Sequence, residues 1–165
     1  MASVAVALIT GAGQGFGRAI SIRLAKDGFN VALNDLSSNA AQLKAVQNEV
    51  AAVGREAVIV PADVTSETEV MKMVDDTVRK LGTLDVMVAN AGLAWATPVL
   101  EANAMDWDKI FDVNGRGTFL CYKYAAKQMV AQGQGGRIIG ACSRSGKQGT
   151  VERTFNLRQS QDDPT

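Results

Sequence analysis

The sequence predicts an α/β chain in which short apolar strands alternate with helices to build a doubly wound parallel sheet of about five strands. Three observations carry that reading. A glycine-rich turn, Thr10-Gly11-Ala12-Gly13-Gln14-Gly15-Phe16-Gly17, stands between an apolar run, Val4 to Thr10, and a helical pattern, Phe16 to Lys26. Strand-like and helix-like segments keep alternating as far as Cys142, which calls for parallel βαβ units with right-handed crossovers. The 165 residues, 47% of them hydrophobic, are enough to bury one sizeable core.

The first strand, over 4–10, has no basic stretch ahead of it and leads straight into the turn, so it reads as a strand and not as a secretion signal. Glycines let the turn bend sharply and approach an anion closely, while a helix over 15–27 points its free N–H groups and the positive end of its dipole the same way. The strict G-x-G-x-x-G fingerprint of a Rossmann turn fails, because Arg18 stands where its last glycine belongs; G-x-x-x-G-x-G on Gly11, Gly15 and Gly17 fits. The plain alternative is a glycine-rich loop that holds no ligand.

A strand over 30–35 ends at Asp35, and a helix over 39–53 closes at Gly54. After a strand over 57–61, Ser66-Glu67-Thr68-Glu69 forms a capping box for a helix over 66–81. Val70, Met73, Val74, Val78 and Leu81 make one apolar stripe on it, and Gly82 ends it. A strand over 84–90, one long helix over 105–132 and a strand over 136–142 complete the pattern.

Zero net charge and a pI near 6.3 argue against a nucleic-acid or membrane partner driven by charge. No apolar run approaches the roughly 18 residues of a membrane helix. The absence of histidine removes Ser-His-Asp and Cys-His nucleophile systems together with His-containing zinc sites, and two cysteines do not complete a four-Cys site. Cys121 and Cys142 are expected to fill core space as small apolar groups. Nothing calls for an oxidising compartment, so a cytoplasmic location is expected.

Asp35 lies about twenty residues beyond the glycine turn, where a carboxylate accepts hydrogen bonds from both adenosine ribose hydroxyls. The same charge repels the 2′-phosphate of NADP, and Gln14 and Leu36 offer no compensating cation, so NAD is the expected cofactor. The competing reading of Asp35 is an ordinary strand-end turn residue.

Further motifs fall in order along the chain: Asp63-Val64 after an apolar strand, Ala89-Asn90-Ala91-Gly92 ending the next, Asn114 in Asp112-Val113-Asn114, and Ser143 after Arg137-Ile138-Ile139. With the turn on Thr10, Gly11, Gly15, Phe16 and Gly17, the chain from about residue 4 to 149 resembles the classical short-chain dehydrogenase/reductase family. The resemblance implies a Rossmann-like nucleotide domain over 1–149, with Asp63 and Val64 at the adenine and Asn90, Ala91 and Gly92 beside the cofactor ribose. It also implies hydride exchange between a nicotinamide and a small ketone or alcohol. In that family a tyrosine exchanges the proton, a lysine lowers its pKa and holds the nicotinamide ribose, Ser143 would orient the substrate oxygen, and Asn114 would position a water.

The family's Tyr-x-x-x-Lys pair has no counterpart here. Asn156 and Ser160 hold the matching positions, and Tyr122 and Tyr124 are followed four residues on by Ala126 and Gln128. The chain is therefore expected to supply the cofactor half of the family's seven-stranded sheet, truncated before that pair, with 150–165 a disordered, non-homologous tail. Strand 136–142 would then be an edge carrying Ile138 and Ile139, which favours self-association. Two other readings stand: a non-catalytic nucleotide-binding or interaction protein, and a chain unstable by itself. Asn90 has a second reading as a turn former, Asp63 and Val64 as solvated loop residues, Asn114 as a helix residue bonded to a neighbouring loop, and Ser143 as a strand-end turn residue.

Overall fold

A computed structural model describes residues 4–95 and 97–143. The tail expected over 150–165, together with Asn156 and Ser160, lies outside the described residues. Strand β1 (Val6–Ile9) is followed by helix α1 (Gly15–Lys26), β2 (Asn30–Leu33), α2 (Ala40–Ala52), β3 (Ala57–Ile59), α3 (Glu67–Leu81) and β4 (Val86–Ala89). Helices α4 (Ala104–Phe111) and α5 (Thr118–Gln132) and strand β5 (Arg137–Gly140) complete the described fold. The sheet has five strands in the order β3-β2-β1-β4-β5, and every pair is parallel.

Both faces of this sheet are covered at its centre, which is why β1 and β4 are apolar at every position and buried throughout. Leu8, Ala32, Met87 and Ala89 pack with Val70, Met73 and Val74 of α3 and Leu120, Cys121, Ala125 and Met129 of α5. Ala7, Ile9, Val31, Leu33, Val86 and Val88 face Ala25 of α1 and Leu43, Val46 and Val50 of α2. Strand order reverses between β2 and β4 on either side of β1, so a crevice opens at the carboxyl ends of these strands.

The capping box at α3 is half formed. Ser66 Oγ accepts the Glu69 N–H at 3.4 Å, but the Glu69 carboxylate reaches on to the N–H of Asp63 at 2.9 Å. Glu67 joins α3 to α5 by accepting from Lys123 Nζ at 2.6 Å and Tyr124 Oη at 2.8 Å. Those two donors hold its carboxyl below the usual carboxylate range.

The single helix expected over 105–132 is interrupted. Asp112–Gly117 is a π turn between α4 and α5, so one extra residue is accommodated and the helix face shifts there. Gly115 and Gly117 inside a helical pattern are the sequence trace of this irregularity. Gly117 is close-packed, since a Cβ there would lie 2.9 Å from Val64 Cγ2.

Helix α5 lies directly on β5 through two glycines. Met129 covers Gly136 and Tyr122 covers Gly140 so tightly that a Cβ at either would overlap the side chain above it. The other side is open: all four residues of β5 are exposed, with Ile139 at 51%. Cys142, just beyond, is exposed too, which corrects its expected place in the core; no described element covers that side of β5. Cys121 is buried as expected, and desolvation pushes its thiol pKa up to about 12. No described helix is long and apolar enough to cross a membrane.

Candidate cofactor site

The cleft at the strand ends has a volume of about 640 Å³. The glycine turn forms its floor, and Gly11, Gly15 and Gly17 are each needed there for a different reason. Gly11 has φ +65°, and a Cβ would stand 3.1 Å from both Ala91 Cα and Asn90 Nδ2. Gly15 has φ +53° with open space around it, so only its backbone conformation demands glycine. At Gly17 the backbone is ordinary, but a Cβ would run into the carbonyl of Gly11. Helix α1 starts there with no side-chain cap and no acidic residue in its first turn, leaving its N–H groups and dipole available to an anion.

Thr10 is buried and braces this floor against β4. Its Oγ1 accepts the N–H groups of Asn90 and Ala91, each at 3.0 Å. Asn90 returns the tie, with Nδ2 donating to Thr10 O at 2.9 Å. The turn-forming role of Asn90 is thus realised, and it also borders the cleft with Ala91 and Gly92.

Asp35 forms one wall. Its Oδ2 accepts the N–H of Gly13 at 3.0 Å, and its Oδ1 accepts from Leu36 N at 2.9 Å and Asn39 Nδ2 at 2.8 Å. A carboxylate has about four acceptor positions, so capacity for a further donor remains. Among the described residues lining the cleft, Lys109 is the one cation, and it lies over the Trp95 ring at 5.3 Å. Arg18, near the turn in sequence, is held by Glu49 at 2.6 Å.

Asp63 and Val64 form the adjoining wall. Asp63 Oδ1 accepts from both the N–H and the hydroxyl of Thr65, at 2.9 and 2.8 Å, which sets the bend before α3. Val64 is 7% exposed and packs on Gly117.

Gly11, Phe16, Gly17, Asp35, Asp63, Val64, Asn90, Ala91 and Gly92 therefore come together around one cleft, whereas Thr10 and Gly15 shape the turn without lining it. Asn114 and Ser143 are not among the lining residues. Asn114, in the π turn, accepts the N–H of Leu93 and donates to the carbonyl of Leu93, both at 2.8 Å. Ser143 is exposed beyond β5, and its carbonyl accepts from Cys142 Sγ at 3.5 Å.

The sequence reading passed over Gly13, Asn34 and Asn39. A Cβ on Gly13 would lie 2.9 Å from Asp35 Oδ2, so the remaining glycine of the turn was itself the signal. For Asn34 the signal was a polar residue continuing an apolar strand; its side chain is buried.

Comparison with known proteins agrees with this architecture. The family model for short chain dehydrogenase matches residues 5–155. A short-chain dehydrogenase/reductase of Armillaria gallica is 58% identical over 144 residues, covering 87% of this chain and 55% of that protein. An (S)-acetoin-forming diacetyl reductase of Staphylococcus epidermidis is 41% identical over 140 residues, covering 85% and 54%. Among solved structures, a short-chain dehydrogenase/reductase of Burkholderia phymatum in complex with NAD superimposes with a TM-score of 0.86 at 28% identity, covering 93% of this chain and 54% of that one. The chain spans little more than half the length of these relatives. With a parallel five-stranded sheet, a cleft at its switch point and a family match across nearly all of its length, the chain belongs to the short-chain dehydrogenase/reductase family.

Proposed function

We propose that residues 1–149 bind NAD(H), in preference to NADP(H), and that the 165-residue chain alone turns over little or no substrate. The observation that carries this reading is the bond from Gly13 N–H to Asp35 Oδ2, which fixes a carboxylate beside a glycine floor packed so closely that a Cβ at Gly17 would run into the Gly11 carbonyl. These residues fit the dinucleotide. The turn and the start of α1 would hold its pyrophosphate, Asp35 its adenosine ribose, Asp63 and Val64 its adenine, and the Asn90-Ala91-Gly92 segment its second ribose. When bound, the cofactor supplies hydride exchange with a carbonyl or carbinol carbon.

Oxidoreductase chemistry on a small ketone or alcohol, the substrate class of the diacetyl reductase relative, is the reaction this architecture would serve. The chain has no tyrosine or lysine at the positions where the family places its proton-transfer pair. A free phenol titrates near pH 10, so even a tyrosine needs a cationic neighbour to exchange protons near neutrality. Loss of a positioned acid/base typically costs about 10²- to 10⁴-fold in rate. Ser143 has no histidine to activate it, because the sequence has none.

A second reading, a non-catalytic nucleotide-binding or interaction protein, draws on exposed β5. Its Ile138 and Ile139 favour self-association, which sedimentation would register as species larger than a monomer. Titration with NADH and an assay of diacetyl reduction on the same purified chain test the proposal. Binding without turnover is expected. Robust reduction abolished by Ser143→Ala would overturn the claim of inactivity, and no binding would overturn the claim of cofactor recognition.

A further inference from the structure

Asn34 is 1% exposed, follows the apolar strand β2 and borders the cleft next to Asp35, and it is not one of the cofactor contacts just assigned. Its backbone is committed to the β1 side: the N–H donates to Ile9 O at 3.0 Å and the carbonyl accepts from Ala12 N at 2.8 Å. Its side chain works in the opposite direction. Nδ2 donates to Val60 O at 3.0 Å and to Ala62 O at 3.2 Å. The residue between them is Pro61, which has no N–H to give a sheet. The side chain of Asn34 thus takes both carbonyls flanking the proline, just past Leu33 and Ile59, the last paired residues of β2 and β3.

Resting on the nucleotide-binding reading above, we propose that Asn34 is a positioning residue for the adenine half of the cleft. It acts through the segment Ala62–Thr65, which carries Asp63 and Val64 along the cleft wall. Hydrogen bonds that hold that segment include those of the Asn34 side chain, the Ala62 N–H to Asp35 O bond at 3.2 Å, and the Glu69 carboxylate on Asp63 N. Of these, the Asn34 side chain alone grips both sides of Pro61.

A second feature separates this role from plain core packing. Asn34 Oδ1 is the one buried side-chain polar atom without a hydrogen-bond partner among the described residues. An unpaired buried acceptor is unfavourable, and leucine would fill a similar volume without it. Stability alone does not account for an amide here. Placement of the two carbonyls does.

The test uses the full 165-residue chain with Asn34→Leu and Asn34→Ser, titrated with ADP-ribose and with NAD⁺. Both variants are expected to weaken both ligands roughly tenfold and to leave the ratio between the two affinities unchanged, because the nicotinamide end is untouched. Amide exchange at Asp63, Val64 and Thr65 should quicken while that of β1 and β4 stays as it was. A folded variant that binds ADP-ribose within about twofold of the unaltered chain, or that loses NAD⁺ affinity without losing ADP-ribose affinity, overturns the inference while leaving the nucleotide-binding reading intact. Failure of the unaltered chain to bind either ligand overturns both. Should the variants not fold, exchange in the unaltered chain decides: slowing at Ala62–Thr65 on addition of ADP-ribose supports the role, and no change there overturns it.

Discussion

Asn114 and Leu93 are paired in both directions: the side-chain oxygen of one takes the backbone N–H of the other, and its amide group gives to the same residue's carbonyl, each at 2.8 Å. The side chain stands in for a neighbouring strand and ties the segment after β4 to the π turn. Gly92 sits under this pair, with Asn114 Oδ1 3.2 Å from where its Cβ would be. Asn114 therefore holds the wall of the cleft.

Replacing Asn114 with Ala should free Leu93. Two exposed hydrogen bonds are worth about 1 kcal/mol each at most, so a loss of about 1–2 kcal/mol in urea denaturation is expected, with faster amide exchange at Leu93 and weaker NADH binding. Unchanged exchange at Leu93 would show that the pairing does not hold in solution.

The glycine turn makes a graded prediction. Gly15→Ala meets no neighbouring atom and suffers only the left-handed backbone, about 1–2 kcal/mol. Gly17→Ala must push the Gly11 carbonyl away and also crowds Asn90 Nδ2, at 2.8 Å from the new Cβ. It should cost more than Gly15→Ala and should abolish nucleotide binding. Equal losses in chemical denaturation would contradict the packing described for this turn.

The thiols should separate cleanly at pH 8. Cys142 is exposed and should react with a chromogenic disulfide reagent in the native chain. Cys121, buried with its pKa pushed up to about 12, should react only after denaturation. Two fast thiols in the native protein would mean that α5 does not stay packed on the sheet.

The fold was legible because its signals are local and repeated: the apolar runs of β1 and β4, the stripe on α3 and the glycine at its end each report a periodicity or a backbone conformation. The π turn was not. Its cause lies in tertiary contacts, Gly117 against Val64 and Asn114 on Leu93, which no helical period announces. In the site, Asp35 and the three glycines were readable from spacing. Thr10 was legible as part of the turn, but the use of its hydroxyl was not, since that depends on the N–H groups of Asn90 and Ala91, some eighty residues away. Asn34 was missed because its partners, Val60 and Ala62, lie on another strand's exit and contribute only backbone. The exposure of Cys142 depends on what covers β5, and a local pattern at a strand end does not carry that information.

The central claim is that this cleft recognises NAD through Asp35, and competitive titration of the purified chain with NADH and NADPH tests it most directly. The 2′-phosphate of NADPH would bring negative charge to a carboxylate already fixed by Gly13, Leu36 and Asn39, so NADH should bind roughly tenfold tighter or better. Asp35→Ala combined with Leu36→Arg should narrow or reverse that preference. Equal affinity for the two cofactors in the unaltered chain, or a preference for NADPH, would contradict the account.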